Sequence, residues 1–207
     1  MARVRAGEVS LGWREWGSGD VTVVFLHGNL ASKDWIELAA PLFPSDLRVV
    51  GIDWRGCGES DRPPATQDYS NYSMQQHALD MLAALDALNI PFCHLATHST
   101  GGIIAARMLL KQPQRFGRVF ALDPVTPLGM SFNTEQIALF RAMMASRELT
   151  RAVMATAASS LFLPESLAPN TIPRFREGLA EIQALFERIL EQTFGVAEGI
   201  WSEHPSI

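Results

Sequence analysis

A serine stands at the centre of a short motif that suits nucleophilic catalysis. Residues 97–101 read Thr-His-Ser-Thr-Gly, with an apolar run before them and a helix-forming stretch after them. A strand, a sharp turn and a helix in this order expose the serine hydroxyl to both a base and a substrate. The first N–H groups of the helix point to the place where an oxyanion would develop on an attacked carbonyl. The pattern therefore predicts a nucleophile at Ser99.

Alternating strands and helices are predicted to position this serine. Apolar runs and period-two alternation predict strands over Val9–Trp16, Val21–Leu26, Arg48–Ile52, Phe92–Ala96 and Arg118–Leu122. Helices are predicted over Lys33–Phe43, from Ser73 to about Asn89, and over Gly101–Lys111, with a capping box between Ser73 and Gln76. Such alternation indicates an α/β protein with a mostly parallel sheet covered by helices on both faces.

From Pro124 onward the pattern changes to helices without strands between them. Asn133 and Gln136 have capping-box spacing, and a further amphipathic helix is predicted from apolar positions at Phe175, Leu179, Ile182, Leu185, Phe186 and Ile189. We expect these helices to form a lid over the site; the alternative is that their apolar faces are additional core. The predicted division is a core at residues 1–123 and a helical lid at 124–207.

Composition excludes several classes of function. The 207 residues carry a formal net charge of −5 and no basic stripe, so nucleic acid is not an expected partner. No run approaches the ~20 apolar residues that span a bilayer, and the first ten residues lack a signal-peptide core. Cys57 and Cys93 fit no metal or disulfide pattern, which favours the cytoplasm. Neither a metal nor another cofactor is expected, because no ligand cluster or phosphate loop occurs.

Three motifs together resemble the α/β-hydrolase fold superfamily, in particular its lidded esterases, epoxide hydrolases and haloalkane dehalogenases. They are His-Gly-Asn at 27–29, Asp-Trp-Arg-Gly-Cys-Gly-Glu-Ser at 53–60, and His-Ser-Thr-Gly-Gly at 98–102, in the family's order within residues 9–125. One departure is Thr97, where the family prefers a smaller residue. Its extra atoms make the tight crossing of strand and helix less comfortable.

The resemblance implies roles for several residues. The oxyanion hole would consist of the N–H groups of Asn29 and Thr100, with Leu30 next to the first of them. In haloalkane dehalogenases an Asn at this position helps to hold halide, but the nucleophile there is Asp, so Ser99 disfavours halide chemistry. His27 is expected to brace its loop rather than act as a base. The loop that begins at Asp53 is expected to be scaffold.

The acid and the base are harder to assign, because the family's order is serine, then a carboxylate, then histidine. Asp123 follows the strand Arg118–Leu122 and is the candidate acid, although beside Pro124 it also suits a plain strand-ending turn. Only His204 follows it, near the end of the chain, where a solvated residue is expected. The resemblance therefore leads us to expect a chain truncated after the lid, without the last two strands of the family. Such a chain would expose the edge of strand Arg118–Leu122 to self-association.

The expected activity is that of a serine hydrolase on a carboxylic ester or related small-molecule acyl substrate, through an acyl-enzyme on Ser99. Without a convincing catalytic histidine, we expect the chain as written to turn over substrate weakly or not at all. A non-catalytic ligand-binding or interaction protein is one alternative. An acyltransferase that uses the same nucleophile is another, because both reactions share the acyl-enzyme.

Overall fold

The computed structural model of the protein describes residues 2–126, 128, 131–157 and 178–194. The strands are β1 (Ala2–Ala6), β2 (Val9–Trp16), β3 (Val21–Leu26), β4 (Leu47–Ile52), β5 (Cys93–His98) and β6 (Phe116–Leu122). The longer helices are α1 (Met74–Ala87), α2 (Gly101–Lys111), α3 (Thr134–Ala145), α4 (Arg147–Ala157) and α5 (Leu179–Phe194). Short 3-10 helices cover Lys33–Ile36, Ala40–Leu42, Ser70–Tyr72 and Pro113–Arg115.

The strands form one sheet in the order β1-β2-β4-β3-β5-β6. The pairs β4–β3, β3–β5 and β5–β6 are parallel, whereas β1–β2 and β2–β4 are antiparallel. The predicted α/β class with a mostly parallel sheet is therefore confirmed. Because β3, β5 and β6 are parallel neighbours, the loops that follow them leave from the same edge of the sheet.

Strand β1 was not predicted, although its sequence carries a signal for it. Val4 and Ala6 are buried while Arg3 and Arg5 between them are exposed, which is the alternation of an edge strand. Gly7, with φ 61°, makes the tight turn into β2. The pattern is only five residues long, which is short for recognition without its partner.

Helices cover the two faces of the sheet unequally. Val24, Val50 and Leu95 are cross-strand neighbours on the face that packs with α1 and α2 in the main core. On the opposite face Phe25, Gly51, Ala96 and Phe120 are neighbours, and a Cβ at Gly51 would lie 3.0 Å from the Cβ of Lys33. The short helix Lys33–Ile36 thus covers this face over β4. Toward β6 the described residues leave it open, so the predicted covering of both faces holds only in part.

Two local predictions are corrected by the structure. Within residues 33–43 the chain forms two 3-10 helices rather than one continuous helix, and Pro41 at the start of the second has no N–H to continue the first. At α1 the side chain of Ser73 accepts a hydrogen bond from the N–H of Gln76, as expected. The side chain of Gln76 instead donates to Asp80, so only half of the predicted capping box forms.

Helices α3 to α5 occupy the predicted lid region. The capping box of Asn133 and Gln136 is complete, and α5 contains the predicted apolar positions from Leu179 onward. Phe175 and His204 lie outside the described residues. Helix α4 was not predicted; it pairs with α5 through Arg147–Glu191 and Arg151–Glu187. The division into core and lid stays a prediction, since Met143 of α3 packs in the main core while Phe186 of α5 packs in a second cluster.

The outer edge of β6 is the most exposed apolar part of the sheet. Val119, Phe120 and Leu122 are 43%, 69% and 55% exposed. Within the described residues β5 is the only strand that pairs with β6, so the peptide groups on the other side of β6 have no strand partner. A bare apolar edge of this kind favours pairing with another chain.

We therefore expect the protein to self-associate through β6 and the variant Phe120→Lys to remain monomeric, because a charge at the edge opposes strand pairing. Sedimentation velocity over a concentration series measures this. Leu110→Lys is the matched control, because Leu110 is 85% exposed on α2 and away from the edge. A wild-type protein that stays monomeric throughout, or equal effects of the two variants, would contradict the expectation.

Candidate active site

Three strained residues lie beyond the carboxyl ends of three neighbouring strands. Leu30 after β3, Ser99 after β5 and Asp123 after β6 have φ values of 52°, 51° and 43°. Residues with a Cβ adopt this left-handed region at an energetic cost. Such strain persists only where the surroundings impose it, and it is concentrated at functional sites.

Close contacts hold Ser99 in its strained conformation. Its N–H donates to the carbonyl of Leu122 at 3.1 Å, and its own carbonyl accepts from the N–H of Val125 at 3.1 Å. A Cβ at Gly101 would lie 2.3 Å from the carbonyl oxygen of Leu26, so only glycine lets α2 start this close to β3. The serine thus occupies the predicted turn between β5 and α2.

The turn has a second close approach at Gly28. A Cβ there would lie 2.9 Å from both Nδ1 of His98 and Cβ of Ser99. Thr97, the departure from the family pattern, is accommodated with 1% exposure. Its hydroxyl is buried and has no hydrogen-bond partner among the described residues, which is where the cost of the larger side chain falls.

Polar groups around Ser99 remain available for a substrate. Thr100 is the N-cap of α2, and its N–H donates to no acceptor among the described residues. The N–H of Asn29 is also unused within that part of the chain. The hydroxyl of Ser99 forms no hydrogen bond to another described residue. A nucleophile and two free donors on neighbouring loops suit attack on a carbonyl.

The structure brings Asp123 near His98, the residue before Ser99. Burial lowers the pKa of His98, while the charge of Asp123 acts in the opposite direction. Nδ1 of His98 is buried without a partner among the described residues. His94 is engaged elsewhere, since its Nδ1 accepts from the N–H of Arg118 at 2.8 Å. The site therefore gathers the predicted nucleophile and candidate acid, but no described histidine bonds to the hydroxyl of Ser99.

His27 is held in its neutral form beside Gly28, in the loop that follows β3. It is fully buried and stacks on Trp54 with ring centroids 4.7 Å apart. Its Nδ1 lies 2.8 Å from the carbonyl of Gly28, and its Nε2 accepts from the N–H of Trp54 at 3.3 Å. One nitrogen thus donates and the other accepts, which is the neutral form. Burial, followed by the charges of Lys33 and His98, lowers its pKa to about 3 despite the Gly28 bond.

The carboxylate of Asp53 is the centre of a buried polar network. It accepts the backbone N–H of Lys33 at 2.7 Å, the Nζ of Lys33 at 3.0 Å and the N–H of Glu59 at 3.0 Å. Nζ also lies 3.1 Å from the carboxylate of Glu59. Burial acts to lower the pKa of Lys33, but the charge of Asp53 and its hydrogen bond outweigh that effect and raise it. These contacts are consistent with the prediction that the loop beginning at Asp53 is scaffold.

The position of Lys33 was missed by sequence analysis. A lysine between serine and aspartate has the pattern of a surface residue, yet its side chain is only 3% exposed. Nothing in the local sequence signals that burial, because its partners Asp53 and Glu59 lie at least twenty residues away in the chain.

A cavity of about 650 Å³ lies beside this network rather than at Ser99. Its lining includes Arg14, Lys33, Glu37, Glu59 and Arg188. These side chains pair with one another or with Asp53, which leaves little unsatisfied charge for a ligand. We therefore place the candidate site at the strained serine and assign no ligand to this cavity. Among the described residues there is no cluster of potential metal ligands. None of the helices in that part of the chain has the length and hydrophobicity of a membrane-spanning segment.

Comparison with known proteins agrees with this geometry. The sequence model of the alpha/beta hydrolase fold family matches residues 21–186. A fluoroacetate dehalogenase from Burkholderia sp is 32% identical over 120 residues, which are 58% of this chain and 39% of that protein. A 2-hydroxy-6-oxononadienedioate/2-hydroxy-6-oxononatrienedioate hydrolase from Paraburkholderia xenovorans is 35% identical, over 55% of this chain and 39% of that protein. The chain thus spans about two fifths of the length of these curated relatives.

Solved structures share the fold at lower sequence identity. The enol-lactonase from Burkholderia xenovorans LB400 has a TM-score of 0.71 at 19% identity, covering 99% of this chain and 74% of its own. A thermophilic esterase from Thermogutta terrifontis has a TM-score of 0.69 at 18% identity, covering 99% of this chain and 73% of its own.

The buried His27 predicts a specific acid response. The unfolded chain takes up a proton at this histidine near its ordinary pKa of 6.5, whereas the folded protein does so only near 3. Its contribution to stability is therefore complete above about 6.5 and is lost as the pH falls from there toward 3. We expect long-range ¹H–¹⁵N spectra of the folded protein at pH 5 to show a neutral His27 ring. The urea-unfolded chain is the control, and protonation of the folded ring near 6.5 would contradict this.

The network at Asp53 predicts that Lys33→Met is strongly destabilising, by about 3–5 kcal/mol, because it leaves a buried carboxylate without its cation. Urea unfolding measures the change. Arg48→Met is the control: Arg48 pairs with Glu15 at 2.7 Å, but both side chains are about a third exposed. That variant is expected to lose at most about 1 kcal/mol. Equal losses in the two variants would show that burial of the Lys33 pair has no special weight.

Proposed function

Because the chain belongs to the α/β-hydrolase fold family, we propose that it is a serine hydrolase for a carboxylic ester or a related small-molecule acyl substrate. The observation that carries the proposal is Ser99, held at φ 51° between β5 and α2 with its hydroxyl unbonded among the described residues. The free N–H groups of Thr100 and Asn29 support the same assignment, since an oxyanion needs two such donors.

In the proposed reaction, Oγ of Ser99 forms a bond to the acyl carbon and gives up its proton. The bond to the leaving alcohol breaks and the proton lost by Ser99 ends on that alcohol, which leaves the acyl group on Ser99. The N–H groups of Asn29 and Thr100 would stabilise the negative oxygen in between. Water then attacks the acyl-enzyme and releases the carboxylic acid.

We assign Asp123 as the candidate acid because it directly follows β6, the strand next to β5, and because its charge acts on His98. Among the described residues, no side chain accepts a hydrogen bond from the hydroxyl of Ser99, so we assign no proton acceptor to that hydroxyl. For this reason we expect the polypeptide of residues 1–207 to react slowly, using transition-state stabilisation by the N–H groups more than base catalysis.

The relatives have different activities, so their names do not identify the substrate of this protein. They include dehalogenases as well as a bifunctional esterase/perhydrolase from Acinetobacter calcoaceticus. A serine at the elbow favours acyl chemistry over displacement of halide. Transfer of the acyl group to another alcohol or amine would use the same acyl-enzyme.

Cys57 and Cys93 are both free and buried, which supports the expected cytoplasmic location.

A second candidate function is ligand binding without turnover. The unbonded hydroxyl of Ser99 favours it, because a serine with no base is a weak nucleophile. Such a protein would bind its ligand beside Ser99 and release it unchanged.

A fluorophosphonate probe separates the two functions. We expect one phosphonyl adduct per chain, formed slowly on Ser99 with loss of fluoride and detected by intact mass and peptide mapping. Ser99→Ala and the urea-unfolded chain are the controls, and both are expected to remain unlabelled because they lack the nucleophile or its strained geometry.

If the folded protein never forms the adduct, the proposed hydrolase function is wrong and ligand binding without turnover is favoured. An adduct that persists in Ser99→Ala would place the reactive group elsewhere.

A further inference from the structure

The loop that carries Asn29 is clamped by α5 at three points. We call residues 29–37 the oxyanion segment. Oγ of Ser32 donates to Oε1 of Gln192 at 3.3 Å, and the carboxylate of Glu37 accepts from Arg188 at 2.7 Å. Between these polar contacts the ring of Trp35 lies 6.3 Å from that of Phe186.

Trp35 also touches the nucleophile turn. Its ring meets that of His98 edge-on, with centroids 6.3 Å apart and an interplanar angle of 80°. His98 directly precedes Ser99 and flanks Gly28 together with it. A single side chain therefore contacts the turn that holds the nucleophile and the helix that lies over the segment.

The other side of the oxyanion segment is fixed from below. The N–H and Nζ of Lys33 both bind the buried Asp53. Within the segment, the N–H of Trp35 donates to the carbonyl of Ser32 at 3.1 Å and that of Glu37 to Asp34 at 2.9 Å. The segment is thus held between a buried ionic anchor and the face of α5.

We propose that Trp35 is a positioning residue of the Ser99 site: it transmits the docking of α5 to the oxyanion segment and to His98. The physical reason is geometric, because an N–H stabilises an oxyanion only when it is held at the right point before the reaction. The side chain of Trp35 makes no contact with the substrate in this role. The effect on reactivity rests on the proposed function, whereas the effect on the segment does not.

Two pairs of variants test the proposal. Trp35→Ala removes both ring contacts, and Trp35→Phe keeps an aromatic ring that can reach Phe186 and His98. Arg188→Ala removes the contact to Glu37, and its matched control Arg151→Ala removes an ion pair between α4 and α5 that does not touch the segment. The arginine pair keeps the test valid even if Trp35→Ala does not fold.

Hydrogen exchange at the amides of Asp34, Trp35 and Glu37 is the first measurement. We expect Trp35→Ala to exchange there about tenfold faster or more, Arg188→Ala faster by a smaller factor, and Trp35→Phe and Arg151→Ala to resemble the wild type. The strand amides of β3 and β5 are expected to stay unchanged, which a general loss of stability would not allow.

The second measurement is the rate of fluorophosphonate labelling at Ser99. We expect it to fall about tenfold in Trp35→Ala and to recover in Trp35→Phe, since small displacements of a catalytic donor cost this much. Normal exchange in Arg188→Ala together with normal exchange in Trp35→Ala would overturn the proposal. So would faster exchange with unchanged labelling. A wild type that is never labelled rejects the proposed function instead, and the exchange results then decide the clamp alone.

Discussion

The buried ion pair between Asp53 and Lys33 is the interaction on which the candidate site depends most. The carboxylate of Asp53 is the centre of it. It is fully enclosed and accepts three hydrogen bonds, two of them from Lys33. A charge in that position is tolerable only with its cation in contact, so Asp53 and Lys33 fix each other. The hydrogen bonds of these two residues join three segments: the end of β4, the loop 53–61 and the oxyanion segment. A Cβ at Gly58 would meet the carboxylate at 2.2 Å, so the loop closes tightly around it.

Strained backbone conformations and close packing position the residues of the candidate site. The left-handed residues Leu30, Ser99 and Asp123 stand at the ends of β3, β5 and β6, and these strands lie next to one another. Parallel strands deliver their carboxyl ends to one edge, so a single sheet assembles three loops at one point. Gly101 permits α2 to begin against β3, so the start of this helix lies beside the loop that follows β3. The strands and α2 therefore set the backbone geometry around Ser99.

Among the described residues, helices α3 to α5 contribute packing contacts and ion pairs. Helix α3 joins the main core through Met143, while α5 packs on Trp35 and is tied to α4 by two ion pairs. Both interpretations of these helices, core and cover, thus have support in different residues. In the same way the sheet is well covered on the side of α1 and α2 but bare at Phe120. Uneven covering concentrates the remaining apolar surface at the β6 edge.

Sequence alone determined the parts of this protein that depend on local pattern. Period-two and helical patterns located β2 to β6, α1, α2 and α3 within a few residues, and the motif around Ser99 identified the turn. It missed α4 and also β1, whose pattern is only five residues long, and it predicted one helix where the structure has two 3-10 helices. Only the tertiary structure decided which distant residues meet: Lys33 with Asp53 and Glu59, Asp123 with His98, and Trp35 with Phe186. A local pattern specifies the period of a chain segment, but burial and charge pairing depend on what the rest of the fold brings against it.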